Sequence, residues 1–397
     1  MSKSKRANGE GSIYKRESDG RYVGALTHPD PETGKNQRKV FYGKTRAEVR
    51  AKMRAAADRL EEGQPVADSK ATVAQWVTQW AATTLAASDR KESTRSLYRT
   101  LATKHLMPEP FGALPLDKLK PSHVEALVLR LRARTRQVRA EDGSEEEIRA
   151  LSDSTIRTTY TVLRAALDGA VRDGLLARNP AAVVRRPGVE RTEARHLSPA
   201  EVRDLTSAAK SSRYHDALKL IAATGIRRGE CLALRWEDID HDAGVLRIRG
   251  TLSRVAGKLI VTEPKTEKSR RVLPLSPVTA ALLTAQRKAQ VAERLHAGSA
   301  WTDTGFVFTT ESGKPVDPRN LYRVAQTAAK RAGIKGVGVH SLRHSAATAM
   351  LEAGVNIKAV SDLLGHSSVS ITGDIYGHTS DDSARAAVAK LSDAMGF

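Results

Sequence analysis

The sequence predicts a multidomain α+β protein: a small N-terminal three-stranded sheet with one helix, an all-helical middle domain, and a mainly helical C-terminal domain with a small antiparallel sheet. Three observations predict it. Short β-type segments at 12–15, 22–27 and 38–42 precede a helical pattern from about 45 to 62. From 72 to about 184 the signals are helical throughout. Beyond Ser198, three strand-like runs at 245–249, 258–262 and 271–275 interrupt further helices. With 397 residues the chain has room for two or three domains, and the breaks set them at 1–63, 72–184 and 190–397.

Turns in the N-terminal sheet are marked by Asp19-Gly20 and by the Asp-Pro-Glu-Thr-Gly run at 30–34. Residues 63–70, opening Gly-Gln-Pro, read as a linker. Thr72 with Gln75, and Ser122 with Glu125, have capping-box spacing ahead of apolar periodic runs. Ile156, Tyr160, Leu163, Leu167 and Val171 form one stripe that ends at Gly174. Between the helices, residues 140–147 are an acidic patch in a basic protein. An exposed insertion turned away from any polyanion is expected there, because carboxylates repel phosphates. Asn179-Pro180 and Arg185-Arg186-Pro187-Gly188 close this domain with helix breakers and charge. The third domain opens on Ser198 as cap, with Pro199 first in the helix and Glu201 third; another helix starts near Asp317-Pro318.

Charge narrows the function. Lys and Arg total 65 against 45 Asp and Glu, a formal +20, which implies a polyanionic partner, nucleic acid first and a membrane surface second. No run of about 18 apolar residues is present and the N-terminal stretch is too polar for a signal peptide, so a cytoplasmic, nucleoid-associated protein with no membrane partner is expected. Only 4% of residues are aromatic, too few for a binder that stacks many unpaired bases, so duplex DNA is the expected partner. A β-ribbon can enter the major groove, which suits the basic N-terminal sheet. Cys231 is the single cysteine, excluding an internal disulfide and a thiolate metal cluster within the chain.

The chemistry gathers in the stretch 338–378, which holds His340, Arg343, His366 and Tyr376. Three of these donate hydrogen bonds to phosphate oxygens, and the fourth is a phenol able to attack phosphorus. Gly354 and Gly365 read as helix stops, giving two helices, a turn at Gly365-His366 and a short third helix carrying Tyr376. A second motif, Ala-Thr-Gly-Ile-Arg-Arg-Gly-Glu at 223–230, supplies Arg227 and Glu230. Alone, that pair is an ordinary solvated ion pair three positions apart on a helix. Lys265 sits in the polar turn 264–269 between the last two strand candidates.

Taken together, Thr-Gly-x-Arg-x-Gly-Glu at 224–230, Lys265 in its turn, His340-x-x-Arg343, Leu364-Gly365-His366 and Tyr376 resemble the tyrosine recombinases, specifically the phage and integrative-element integrases. The resemblance covers nearly the whole chain: residues 1–63 are similar to the family's arm-type DNA-binding domain, 72–184 to its helical core-binding domain, and 190–397 to its catalytic domain. It implies a site-specific recombinase that integrates, and excises, a phage or mobile element as a homotetramer on duplex attachment sites, through a 3′-phosphotyrosyl intermediate and a Holliday junction. An excisionase and a DNA-bending protein are the candidate accessory partners. It further implies that Arg227 and Arg343 clamp the scissile phosphate, and that Lys265 protonates the leaving 5′ oxygen. His340 and His366 would donate to, or exchange protons with, phosphate and nucleophile. Tyr376 would be the nucleophile, and Glu230 would hold the first arginine's surroundings. No cofactor and no metal are implied. The tail beyond Ser380 would dock on a neighbouring protomer. Two features depart from the pattern: the acidic insertion near Asp142, and Cys231 where an aliphatic residue is commoner.

Elementary chemistry supports the same roles. A phosphodiester under attack builds negative charge on its non-bridging oxygens, and forked guanidiniums match that geometry better than ammonium groups. A phenol with a free pKa of about 10 needs a nearby base or cationic field to react at neutral pH, and a leaving alkoxide needs a proton. Covalent capture conserves the bond, so rejoining needs no ATP. Rival readings are weaker. His340 and His344 have helical zinc spacing, but Ser341 stands where the catalytic Glu of that motif belongs. Gly34-Lys35 resembles the end of a phosphate loop, but Pro29 and Asn36 break the motif. Trp76, Trp80 and Trp236 are expected in cores, and His378 as a cap or packing residue. A type IB topoisomerase shares the chemistry, yet the added N-terminal modules favour site choice. A non-catalytic DNA-binding protein has no need of the phenol and the proton donor.

Overall fold

The computed structural model describes residues 13–29, 36–61, 71–139, 143–176, 178–190, 195–263 and 270–366, with isolated positions at 368, 369, 373 and 395. The chain divides into two compact units, Met1–Glu190 and Arg191–Phe397.

In the first unit, strands β1 (Tyr14–Lys15), β2 (Tyr22–Pro29) and β3 (Asn36–Gly43) form an antiparallel sheet in that order, followed by helix α1 (Arg46–Glu61). Gly24 lies opposite Phe41, and a Cβ at Gly24 would meet Met53 Sδ at 2.3 Å, so this face of the sheet lies directly on α1. The opposite face exposes Tyr14, Arg38, Val40 and Tyr42, with the Arg16 guanidinium 5.3 Å from the Tyr42 ring centroid. The turn at 30–34, Lys35 and the linker at 63–70 lie outside the described residues.

Helices α2 (Val73–Ala82), α3 (Glu92–Leu101) and α4 (Pro121–Arg132) follow, then strands β4 (Thr135–Arg139) and β5 (Glu145–Arg149), and the long helix α5 (Asp153–Arg172). Thr72 and Gln75 form the expected reciprocal cap on α2, with bonds of 3.2 and 2.9 Å. Trp76 and Trp80 of α2 are buried in one core with Ile156, Tyr160, Leu163 and Leu167 of α5, and the Trp76 indole donates to Ala166 O at 2.7 Å. Val171 is only half-buried. The Tyr160 hydroxyl lies 2.6 Å from Ala181 O and 2.9 Å from Val184 O, pinning the segment that ends the domain.

Two local expectations are corrected here. The helical run is broken by the β4–β5 hairpin, with Arg139 opposite Glu145 and Gln137 opposite Glu147, so the middle region is not all-helical. Ten exposed or half-exposed residues with no core to bury have strand pairing as their source of order, and Glu145, Glu146 and Glu147 are exposed as the acid-patch reading requires. Ser122 does not cap α4. Pro121 occupies the first helical position, which moves the cap to Lys120, whose N–H donates to His123 Nδ1 at 3.2 Å.

The second unit begins with α6 (Pro199–Ala208), whose Ser198–Glu201 cap forms as expected, α7 (His215–Thr224) and α8 (Arg228–Ala233). Strands β6 (Ile239–Asp240), β7 (Val245–Ile248), β8 (Thr251–Val255), β9 (Lys258–Thr262) and β10 (Arg271–Pro274) follow. Helices α9 (Pro277–Ala297), α10 (Pro318–Arg331), α11 (Val339–Glu352) and α12 (Ile357–Leu364) complete the described elements. The strands make two sheets, β10-β7-β6 and the hairpin β8-β9. Strands β6 and β8 escaped the sequence reading, because one spans two residues and the other follows β7 after only Arg249-Gly250. Strands β9 and β10 belong to different sheets; residues 264–269, Lys265 among them, lie outside the described residues. The core gathers Leu205, Leu218, Ile221, Leu232, Phe308 and Leu342. Among the described residues no helix is long and apolar enough to cross a membrane.

The cap assignments are testable by denaturant unfolding followed through the buried tryptophans. Thr72→Ala is expected to lower the first unit's stability by about 1 kcal/mol, whereas Ser122→Ala should leave it within about 0.5 kcal/mol.

Candidate active site

The site is built at the C-terminal end of α12, where the last carbonyls of a helix have no partner within the helix. Three arginines from three other elements supply partners. Arg343 of α11, 4% exposed, donates from Nη2 to Leu364 O at 2.9 Å and from Nη1 to Gly225 O at 2.7 Å. Arg227, at the cap of α8, donates from Nη2 to Gly365 O at 2.7 Å. Arg271, the first residue of β10, donates from Nε to Leu363 O at 2.6 Å. The negative end of the helix dipole attracts the same charges.

Local sequence explains why these side chains converge. Gly225 ends α7 at φ +67, and Arg227 two residues on starts α8. A Cβ at Gly229 would meet Leu252 O at 2.8 Å, so α8 packs flush against β8. On α11, Ser341 sets the start by accepting from Gly338 N–H at 3.2 Å. One turn on, the Ser345 hydroxyl accepts from Leu197 N–H at 2.7 Å, tying the opening of the second unit to this helix. Gly365 at φ +67 stops α12 and turns the chain to His366, whose N–H donates to Ser361 O at 2.9 Å.

Glu230 is the carboxylate of the cluster and is 3% exposed. Its Oε1 accepts from Arg227 Nη1 at 2.8 Å; its Oε2 accepts from Arg271 Nη2 at 2.8 Å and from Arg227 N–H at 3.0 Å. Burial alone would push its pKa up, but the Arg271 bond and charge, followed by those of Arg227, hold it below the ordinary carboxylate value. Two guanidiniums thus share the Glu230 carboxylate while Arg343 is held by backbone carbonyls, and the excess charge is positive. The histidines register that excess. Burial, then the charges of Arg343 and Arg227, lower His366 to about 4 and lower His340 as well. His344 is lowered to about 4 by burial, His340 and Arg343, and its ring meets that of His340 edge-on at 5.6 Å. At neutral pH these imidazoles are uncharged, each with one N–H to donate and one nitrogen to accept a proton.

Of the residues expected from sequence, Arg227, Glu230, His340, Arg343 and His366 are brought together; Lys265, Tyr376 and His378 lie outside the described residues. Arg271 was missed. Its signal was its phase: it shares a strand face with Leu273, which is buried, whereas Val272 between them is 56% exposed. Among the described residues no group of His, Cys, Asp and Glu is arranged to hold a metal ion. Trp236 is half-buried and donates to Gln290 Oε1 at 2.7 Å, a packing role. Buried Cys231, its thiol pushed above its usual pKa by desolvation and then Glu230, is inert packing on α8.

A family model for the phage integrase family matches residues 195–383. A tyrosine recombinase XerC-like protein of Caldanaerobacter subterraneus subsp. tengcongensis is 30% identical over 380 residues, spanning 91% of this chain and 93% of its own length. The chain belongs to the tyrosine recombinase family. It is a site-specific DNA recombinase of the integrase type. Two solved recombinase structures share its fold. The Tn1549 transposon integrase in complex with a circular intermediate DNA has a TM-score of 0.66 at 22% identity, over 81% of this chain and 99% of that one. A lambda integrase tetramer bound to a Holliday junction has a TM-score of 0.57 at 20% identity, over 95% and 99%.

A pH dependence follows from the recombinase's histidines. His344 and His366 stay neutral in the folded state well below the usual 6.5, so above that pH they add nothing to the slope. As pH falls from 6.5 to about 4 the unfolded chain takes up protons that the folded one refuses, and stability drops. Denaturant midpoints measured across this window should fall more steeply for the unaltered chain than for a His344→Asn, His366→Asn variant.

Proposed function

We propose that this recombinase cuts and rejoins duplex DNA through a covalent 3′-phosphotyrosyl bond at Tyr376. The observation that carries the reading is the excess positive charge around Glu230, with neutral histidines beside it. That is a receptor for an anion that gains charge during reaction. Arg227 and Arg343 bind the non-bridging oxygens of the scissile phosphate. The Tyr376 oxygen attacks phosphorus and its proton passes to His340, which is uncharged and can accept it. The bond from phosphorus to the 5′ oxygen breaks, and Lys265 protonates that oxygen as it leaves. His366 donates to the phosphate, and Glu230 holds Arg227. A 5′ hydroxyl from a partner duplex then reverses the step, restoring the phosphodiester and the phenol without a cofactor.

Strand exchange on this reading takes place in a homotetramer and passes through a Holliday junction; the shared fold with a lambda integrase tetramer on such a junction supports it. Residues 1–63 serve as the arm-type DNA-binding domain, residues 72–184 as the core-binding domain and residues 190–397 as the catalytic domain. In the first of these, the exposed sheet face with Arg16, Arg38 and Tyr42 suits insertion into a groove. The same active site runs integration and excision, with an excisionase and a DNA-bending protein setting direction.

The test uses a duplex selected from a random-sequence library by binding to the full-length chain. Tyr376→Phe should bind it with unchanged affinity and form no denaturation-resistant protein–DNA adduct; an adduct from this variant would refute the nucleophile. Arg227→Ala should slow adduct formation on the order of 10²–10³-fold while retaining binding. Affinity should fall steeply with salt as counterions are released from phosphate contacts, and a flat response in a titration would contradict the duplex-binding reading.

A further inference from the structure

We propose that Arg271 is a positioning residue for strand cleavage: through Glu230 and the last turn of α12 it holds Arg227 and the His366 turn in register. The inference rests on the covalent mechanism above. The Arg271 side chain is 7% exposed against 34% for Arg227, and its Nε, Nη1 and Nη2 are all engaged by protein partners. It therefore acts on the phosphate only through others. Its fork meets Glu230 at 2.8 and 3.3 Å, and its Nε meets Leu363 O at 2.6 Å. The side chain also lies against the backbone of Gly365, where a Cβ would come within 2.8 Å of Nη1 and 3.1 Å of Cζ.

One guanidinium thus joins three elements. Glu230 belongs to α8 and orients Arg227; Leu363 and Gly365 end α12 and aim His366; and Arg271 itself starts β10, just beyond the segment that holds Lys265. Without it, Glu230 keeps Arg227 as its cationic partner among the described residues, and the half-buried Leu363 loses the hydrogen bond to its carbonyl from Arg271. Both changes let the groups that grip the phosphate drift, and displacement of about 1 Å can cost on the order of 10²-fold in rate. Lysine cannot substitute, since one ammonium does not span two carboxylate oxygens and a carbonyl in the required fork.

The experiment uses the full-length chain and the library-selected duplex, nicked beside the cleavage position so that the released strand diffuses away and the adduct accumulates. For Arg271→Lys we expect DNA affinity within about 3-fold of the unaltered chain and an adduct rate reduced by about 10- to 100-fold at saturating DNA. Arg271→Ala should lose at least as much. Leu205→Ala, a core change away from the site, serves as a stability control: it should melt earlier yet cleave at the normal rate below its melting temperature. In a Glu230→Gln background the penalty of Arg271→Lys should shrink, because the shared partner is already altered. Cleavage by both Arg271 variants at the normal rate overturns the proposal, and a fully multiplicative double variant overturns the route through Glu230. If Arg271→Ala does not fold, Arg271→Lys decides alone on the same criteria. An unaltered chain that forms no adduct sinks the covalent mechanism itself, a result readable apart from the Arg271 comparison.

Discussion

The last turn of α12 is the point on which the second unit depends, because its carbonyls are where three guanidiniums meet. A helix end leaves acceptors that must be satisfied by caps, by water or by side chains brought from elsewhere. Here Leu363, Leu364 and Gly365 receive Arg271, Arg343 and Arg227 from β10, α11 and the start of α8. Segments 138 residues apart in sequence, Arg227 and Gly365, are thereby held within hydrogen-bond distance. The choice of carbonyls has an electrostatic consequence. Had each arginine been given its own carboxylate, the cluster would be neutral and indifferent to a phosphate. Backbone dipoles satisfy the hydrogen bonds without cancelling the charge, so the field stays positive.

That field governs the histidines. Imidazoles buried beside cations hold a proton less readily, and the three in this region sit below their usual range with burial as the largest cause. A neutral imidazole near a phosphate has two uses, as donor to an oxygen and as acceptor of a phenol proton. An arriving phosphate also raises the proton affinity of its neighbours, so base strength increases when substrate is present. Glu230 balances the cluster from within: held ionised by Arg271 and Arg227, it fixes the direction of the arginine without reaching the surface.

The first unit shows a different use of charge. Its sheet buries one face on α1 and leaves basic and aromatic side chains on the other. The β4–β5 hairpin carries exposed glutamates in a chain whose formal charge is +20. Opposite signs placed on separate elements give a polyelectrolyte partner surfaces that attract and surfaces that repel, which restricts how a duplex can approach.

What was legible in the sequence was whatever is local. Capping residues marked α2, α6 and α10, helical spacing marked the α5 stripe, and glycines marked the ends of α11 and α12, because such signals act within a few residues of themselves. Motif spacing also picked out Arg227, Glu230, His340, Arg343 and His366 as one group, since the arginines and histidines are donors suited to one anion and Glu230 falls within the same motif as Arg227. Tertiary structure alone decided the rest. The cap of α4 moved to Lys120 because Pro121 claimed the first helical position. The pairing of β9 with β8 and of β10 with β7 depends on which edges meet in space, which strand propensity does not encode. Arg271 was only the first residue of a strand-like run, and became central because the fold brought a buried carboxylate and the Leu363 carbonyl to its two sides. Proximity across long stretches of chain is a property of packing, and no single segment carries it.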